Sequence, residues 1–215
     1  MTPFPPPLAA DASVLDLAPV IPVVVLHDAA DAVPLARALV AGGLPAIEVT
    51  LRTPAALDAL GAIAAEVPGA VVGAGTVISA RHVRDTVAAG ARFLVSPGWT
   101  DTLLDAMTAS GLPFLAGVSS ASEVVALLER GVHEMKFFPA EAAGGTAYLK
   151  ALSAPLAQAR FCPTGGISLA SAPSYLALPN VGCVGGSWMV PSDAVAAKDW
   201  DRVARLAAEA AALAR

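Results

Sequence analysis

Positive charge is sparse in this sequence. Thirteen Lys and Arg residues stand against eighteen Asp and Glu residues, which gives a formal net charge of −5. No stretch is rich in basic residues, and aromatic side chains, which could interleave with a basic patch, are only 5% of the chain. Because nucleic-acid-binding proteins need clustered Lys and Arg to neutralise phosphates, this composition argues against a nucleic-acid partner.

Cysteine and histidine are scarce as well. Cys162 and Cys183 lie in apolar, strand-like segments, and His27, His82 and His133 are scattered along the chain. Neither set has the spacing of a zinc site, so we expect no metal. A cysteine in such a segment usually acts as a small hydrophobic residue, and this usage predicts a reducing, cytoplasmic location rather than a disulfide.

A long uninterrupted apolar run is also missing, although 56% of the residues are hydrophobic. The longest stretch without a charged residue or histidine, 161–192, contains four prolines and five glycines. A membrane-spanning helix needs about 20 continuous apolar residues. We therefore expect no membrane span, and interpret this stretch as two buried strands and a short helix. Residues 1–8 are proline-rich without basic residues, which is unlike a secretory signal.

What the sequence does contain is a regular alternation of short apolar runs and helical patterns. Eight such strand–helix alternations predict a parallel sheet, and closure into a single α/β (β/α)8 barrel is the economical architecture. A doubly wound open sheet is the alternative, but no Gly-x-Gly-x-x-Gly follows the first strand. The predicted strands are 20–26, 46–51, 70–75, 93–96, 114–118, 134–138, 160–164 and 181–185.

The helices are predicted between these strands, with a last one over 199–214. Thr53 before Pro54 predicts an N-cap for the second of them. We expect the barrel to occupy residues 19–215, preceded by a proline-rich tail and a short helix within 1–18. A helix over 9–17 would cover the barrel floor.

Lys136 is the first candidate for chemistry, because it lies inside the sixth predicted strand beside Phe137 and Phe138. Taking an ammonium group out of water is costly unless it is paired or loses its proton, and a lysine tuned in this way is a candidate Schiff-base nucleophile. The alternative is a strand-end lysine whose amine reaches back to solvent.

The second strand carries an unusual polar row. Side chains alternate between the two faces of a strand, so Glu48, Thr50 and Arg52 share one face while Ile47 and Val49 share the other. Facing the barrel interior, Glu48 would act as an acid or base beside Lys136, and Arg52 would bind a substrate anion. A purely structural Glu–Arg network is the alternative.

Other strand ends carry small and polar residues at the edge where barrel enzymes place their sites. Thr76 follows Gly75 and could bind a carboxylate, and Pro97 could form a pocket wall. Glycine-rich turns follow the last two strands, at Gly165-Gly166 and Gly185-Gly186. Turns at these positions commonly bind phosphate through backbone N–H groups.

Six stretches together carry a family resemblance. They are Glu-Val-Thr-Leu-Arg-Thr (48–53), Val-Gly-Ala-Gly-Thr-Val (72–77), Ser-Pro-Gly (96–98), Lys-Phe-Phe-Pro-Ala-Glu (136–141), Arg-Phe-Cys-Pro-Thr-Gly-Gly-Ile (160–167) and Gly-Gly-Ser-Trp (185–188). In this order they resemble the class I 2-keto-3-deoxy-6-phosphogluconate (KDPG) aldolases, which also act on 4-hydroxy-2-oxoglutarate (KHG). The resemblance covers nearly the whole chain from residue 19 onward.

The resemblance implies a homotrimeric barrel lyase that acts on a phosphorylated keto acid in the Entner–Doudoroff pathway, with no cofactor beyond the lysine. It implies a Schiff base on Lys136 and an acid/base role for Glu48. The implied substrate contacts are Arg52 and Thr76 for the carboxylate, Pro97 and Phe138 for the pocket wall, Thr164 for hydroxyls, and Gly165, Gly166, Gly186 and Ser187 for phosphate.

Three alternatives remain open at this point. A galactonate-type aldolase is one, although a threonine before Gly-Gly is more similar to the gluconate-type enzyme. A metal-free phosphosugar isomerase on the same barrel would use Glu48 as base and Lys136 as an electrophile. A protein that only binds phosphometabolites would need neither residue on the inner face.

Overall fold

The computed structural model describes residues 13–213, and in this part of the chain eight parallel strands close into a barrel surrounded by helices. Ladder pairs join the strands in the order β7-β6-β5-β4-β3-β2-β1-β8. Two isolated bridges, Phe161 to Val181 and Thr164 to Gly185, close the ring between β7 and β8. The predicted (β/α)8 architecture is confirmed, and the alternative, an open doubly wound sheet, was wrong.

The element bounds follow the predicted alternation. The strands are β1 Val20–Val24, β2 Ala46–Thr50, β3 Val71–Gly75, β4 Leu94–Val95, β5 Phe114–Val118, β6 Glu134–Phe137, β7 Arg160–Pro163 and β8 Val184–Gly186. The α-helices are α1 Ala32–Ala41, α2 Ala56–Glu66, α3 Ala80–Ala88, α4 Asp101–Ala109, α5 Ala121–Glu129, α6 Gly145–Leu152, α7 Ala172–Leu176, α8 Ser192–Ala196 and α9 Trp200–Ala211. Single turns of 3-10 helix lie at Val14–Asp16 and Ala29–Asp31. None of the helices between residues 13 and 213 is long and apolar enough to cross a bilayer.

The start of α2 differs from the prediction for a clear physical reason. Its N-cap is Ala55 rather than Thr53. The Thr53 hydroxyl instead donates a hydrogen bond to the carbonyl of Leu26, two residues after β1. A side chain engaged with a neighbouring segment is not available as a helix cap, so α2 begins two residues later than expected.

Two apolar cores position the strands. One lies between the sheet and the helices and includes Ile47 and Val49, as the alternation in β2 predicted. The other fills the barrel interior with Ile21, Phe93 and Leu115, together with the buried thiols of Cys162 and Cys183 and other small side chains. A filled interior leaves the carboxyl ends of the strands as the place where side chains can meet a ligand.

The barrel floor is closed by the segment that precedes β1. Leu15 is fully buried in the interior core, and Arg160 at the start of β7 donates to Asp16 at 2.7 Å and to Glu134 at 2.9 Å. The hydrogen bond to Asp16 raises the pKa of the Arg160 guanidinium against the effect of burial. The expected floor helix over 9–17 lies partly outside the described residues. Within them it is a single 3-10 turn, Val14–Asp16.

Candidate active site

Lys136 and Glu48 meet inside the barrel near its carboxyl end. Lys136 on β6 is 4% exposed and Glu48 on β2 is 3% exposed. The Nζ of Lys136 lies 3.4 Å from Oε1 of Glu48, although 88 residues separate them in sequence. The structure thus brings together the two side chains that the sequence assigned to one inner surface, and the solvent-reaching alternative for Lys136 was wrong.

A buried ion pair of this kind is not a good source of stability. Removing two charges from water costs several kcal/mol for each ion, and a well-packed apolar pair of similar volume is often at least as stable. Phe138 covers the amine, with its ring centroid 5.2 Å from Nζ. A nucleophile and an acid/base group held in contact under an aromatic ring are suited to covalent catalysis on a carbonyl.

Two glycines in the neighbouring strands allow close packing around the site. A Cβ at Gly75 on β3 would overlap the Glu48 carboxylate, and a Cβ at Gly117 on β5 would overlap the backbone of Pro97. Gly117 is paired in register with Lys136. Gly117 is not among the predicted site residues, although a glycine at an inward position within a strand is a signal of close backbone approach.

The alternation in β2 predicted that Arg52 faces the barrel interior with Glu48 and Thr50. This prediction was wrong. The strand ends at Thr50, whose hydroxyl donates to the Val24 carbonyl at 2.8 Å. Arg52 is exposed in the following turn, and its Nε donates to the Thr76 hydroxyl at 3.3 Å. The alternative interpretation, a structural Glu–Arg network, was wrong, because Glu48 pairs with Lys136 and Arg52 pairs with Thr76 at the rim.

Thr76 has a strained backbone conformation, with a φ of +61°. A β-branched residue in the left-handed region is uncommon and costs about 1–3 kcal/mol. The surrounding structure maintains this conformation, which aims the Thr76 hydroxyl at Arg52. Strain of this kind is typical of residues whose placement serves a site.

Replacing Thr76 with glycine is expected to leave the free energy of unfolding unchanged or to raise it by up to about 1 kcal/mol, because relief of strain outweighs the added entropy of the unfolded chain. Thr102 on α4 is the matched control, since there the same change removes a residue without such strain and should lower stability by a few tenths of a kcal/mol. Urea denaturation measures both variants. A loss above about 1 kcal/mol at Thr76 would contradict the strain argument.

The turns after β7 and β8 lie next to each other at the same end of the barrel. Gly165 and Gly166 have φ values of +106° and +83°, which favour glycine. The Thr164 side chain packs on Gly185, where a Cβ would overlap its hydroxyl. Gly185 and Gly186 lie within β8 rather than in the predicted turn after it, so this contact places the turn after β7 beside the end of β8.

A cavity of about 490 Å³ adjoins the second of these turns. Its lining includes Ser187, Val25 and Asp28, while Lys136 and Glu48 are not among its lining residues. The cavity lies between the end of β1 and α8 and does not enclose the Lys136–Glu48 pair. In the part of the chain that the structure describes, no cluster of three or more His, Cys, Asp or Glu side chains is arranged as a metal site.

Comparison with known proteins identifies close relatives of this chain. A family model described as KDPG and KHG aldolase matches residues 12–206. The KHG/KDPG aldolase of Escherichia coli K12 is 52% identical over 198 residues, which are 92% of this chain and 93% of that protein.

Two solved structures are similar over nearly their full length. KDPG aldolase from Legionella pneumophila, with pyruvate captured at low pH as a covalent carbinolamine intermediate, has a TM-score of 0.90 at 48% identity and covers 92% of this chain and 96% of its own. The Zymomonas mobilis ZM4 aldolase with 3-phosphoglycerate has a TM-score of 0.89 at 50% identity and covers 94% of each chain.

Proposed function

Because the chain belongs to the KDPG and KHG aldolase family and is an aldolase, a carbon–carbon lyase, we propose that it cleaves KDPG to pyruvate and glyceraldehyde 3-phosphate through a Schiff base on Lys136. The observation that carries this proposal is the buried contact of 3.4 Å between Lys136 and Glu48. A simple binding protein requires neither group inside the barrel. A phosphosugar isomerase would use both groups but would form no covalent bond to Lys136, which the trapping experiment below distinguishes.

The first half of the reaction forms an electron sink. The neutral amine of Lys136 adds to the C2 ketone, and loss of water from the carbinolamine gives an iminium ion. The protonated iminium nitrogen can accept the electron pair of the C3–C4 bond once the C4 hydroxyl loses its proton. Glu48, which contacts Lys136, would take that proton, directly or through one water molecule.

The second half releases the products. Cleavage frees glyceraldehyde 3-phosphate and leaves an enamine on Lys136, which is protonated at C3. Water then hydrolyses the resulting iminium, so that pyruvate leaves and the amine is regenerated. The covalent lysine supplies the electron sink throughout, and for this reason we propose no additional cofactor.

The remaining site residues would bind the two ends of the substrate. Arg52 and Thr76, joined at 3.3 Å on the rim, would bind the carboxylate. Pro97 and Phe138 would form the pocket wall and Thr164 would contact substrate hydroxyls. Backbone N–H groups would bind the phosphate, from Gly165 and Gly166 in the turn after β7, from Gly186 at the end of β8 and from Ser187 directly after it.

The range of substrates follows from the separate binding of the carboxylate and of the phosphate. KHG has a carboxylate where KDPG has the phosphorylated end, so it would use Lys136, Glu48, Arg52 and Thr76 without filling the phosphate turns, giving pyruvate and glyoxylate. The galactonate epimer of KDPG differs at a hydroxyl-bearing carbon, and Thr164 would discriminate between the two epimers there. Initial rates with the two epimers test the gluconate preference, and a faster galactonate reaction would overturn it.

Borohydride trapping with pyruvate tests the mechanism. Reduction of the iminium should fix a pyruvyl group on Lys136, which peptide mass mapping locates, and omission of borohydride should leave the lysine unmodified. Lys150 and Lys198 are exposed and serve as internal controls. An adduct on either of them alone would contradict the proposed mechanism.

We also propose a homotrimer in the cytoplasm, as in the family that the sequence resembles. Exposed apolar side chains at the carboxyl end of the barrel, such as Ile78 at 60% exposure, are compatible with burial between subunits. Sedimentation equilibrium should give three times the mass of one chain. A stable monomer would contradict the assembly, and recovery of the enzyme from a membrane or periplasmic fraction would contradict the location.

A further inference from the structure

Two turns of the site are joined by backbone hydrogen bonds beyond the ends of their strands. Ala140, in the turn after β6, donates to the Thr164 carbonyl at 2.8 Å, and Glu141 donates to the Gly165 carbonyl at 3.1 Å. These bonds continue the β6–β7 ladder past Phe137. The turn that follows the nucleophile's strand therefore supports the proposed phosphate turn.

The Glu141 side chain packs closely on that phosphate turn. A Cβ placed on Gly166 would lie 2.6 Å from the Cγ of Glu141 and 2.9 Å from its Cβ. Both distances are shorter than contacts between carbon atoms in folded proteins. The position of Glu141 is thus linked directly to the position of Gly166.

Tyr175 holds the Glu141 side chain in place through a hydrogen bond. It lies on α7, it is 1% exposed, and its hydroxyl donates to Oε1 of Glu141 at 2.7 Å. Burial, followed by the hydrogen bond to Glu141, raises the pKa of Tyr175. The hydroxyl consequently keeps its proton and remains a donor throughout the neutral range.

We propose that Tyr175 and Glu141 are positioning residues that hold the Gly165–Gly166 turn in place for the phosphate group of the substrate. The inference rests on the proposed function of that turn. The contacts of the pair are with each other and with Gly166, and neither side chain hydrogen-bonds to Lys136. It should govern affinity for phosphorylated ligands and leave the covalent chemistry unchanged.

The decisive variant is Tyr175→Phe, which removes one hydroxyl and keeps the buried ring. The KM for KDPG is expected to rise about fivefold to tenfold, the effect of one lost hydrogen bond, while kcat stays within about twofold. The KM for KHG, which has no phosphate, should not change. Calorimetric titration with 3-phosphoglycerate should show a similar loss of affinity without any turnover.

Three further variants separate positioning from general stability. Glu141→Gln keeps an oxygen that accepts from Tyr175 and should retain most of the affinity for KDPG, whereas Glu141→Ala should match Tyr175→Phe. Tyr148→Phe is the matched control, because its hydroxyl accepts from the Ala121 N–H at 3.0 Å, away from the phosphate turn. It should not change the ratio of the two KM values.

The outcomes are distinct. If Tyr175→Phe raises both KM values equally, or lowers only the melting temperature, the pair is a structural contact and the inference is wrong. If Tyr175→Phe does not fold, the exposed Glu141→Ala variant gives the same comparison. If the wild-type protein cleaves neither substrate but the variant still binds 3-phosphoglycerate more weakly, the proposed function fails while the positioning role stands.

Discussion

Replacing Lys136 with methionine is expected to lower kcat/KM for KDPG by at least about 10⁴-fold, because removal of a covalent nucleophile eliminates the pathway that it opens. Methionine has a similar length and fills the same buried space, so the pocket keeps its shape. Pyruvate release measured by a coupled dehydrogenase reports the rate. Borohydride trapping should find no adduct on the variant.

Loss of Lys136 also leaves the Glu48 carboxylate buried without its partner. Breaking a buried pair in this way typically costs about 3–5 kcal/mol of stability, so reduced activity could reflect unfolding. Lys136→Arg separates the two effects, since its guanidinium keeps a cation beside Glu48 but stays protonated and cannot add to a ketone. Lys150→Met on the exposed face of α6 is the matched control and should keep full activity. A folded Lys136→Arg variant with more than a hundredth of wild-type activity would overturn the Schiff-base mechanism.

Much of the fold was predictable because its signals are local. Alternating apolar runs and helical patterns follow from the two periodicities of side-chain direction, and these predicted all eight strands within the described residues. The largest shift is in β8, predicted over 181–185 and found at Val184–Gly186. Val181 instead forms the isolated bridge to Phe161 that helps close the ring, a pairing that depends on barrel geometry.

The inner face of the site was predictable for a similar reason. Glu48 and Lys136 occupy inward positions of their own strands, so a barrel of any detailed shape would direct them toward each other. Arg52 and Thr53 were less predictable, because both lie beyond the end of β2, where the alternation no longer applies. Their partners, Thr76 and the Leu26 carbonyl, lie just after neighbouring strands and are set by the tertiary fold.

The contacts that hold the site residues in place were the least predictable feature of the structure. The residues around Glu141 do not indicate which side chain it contacts, and its actual partner is Tyr175 on α7. A tyrosine in an apolar helix gives no sign of where its hydroxyl points. Close contacts of this kind depend on distances between elements far apart in sequence, which residue patterns do not encode.

Replacing Gly75 with alanine is expected to lower kcat for KDPG by about 10²–10⁴-fold, the usual contribution of a positioned acid or base. The added methyl group would occupy the space of the Glu48 carboxylate, which must then turn away from Lys136. Gly75 does not have a left-handed backbone, so alanine itself introduces no backbone strain there. The variant therefore displaces a catalytic group without deleting it.

Comparison with Glu48→Gln distinguishes the position of the carboxylate from its presence. That variant should lose a similar factor in kcat, and the double variant should lose little more than either one, because both changes remove the same proton transfer. Gly61→Ala is the matched control, since on α2 its new Cβ would lie 3.7 Å from the nearest atom and should raise stability by about 0.5–1 kcal/mol with full activity. If Gly75→Ala kept wild-type kcat while folded, or if the losses of Gly75→Ala and Glu48→Gln simply multiplied, proton transfer would not depend on Glu48 at the position it holds beside Lys136.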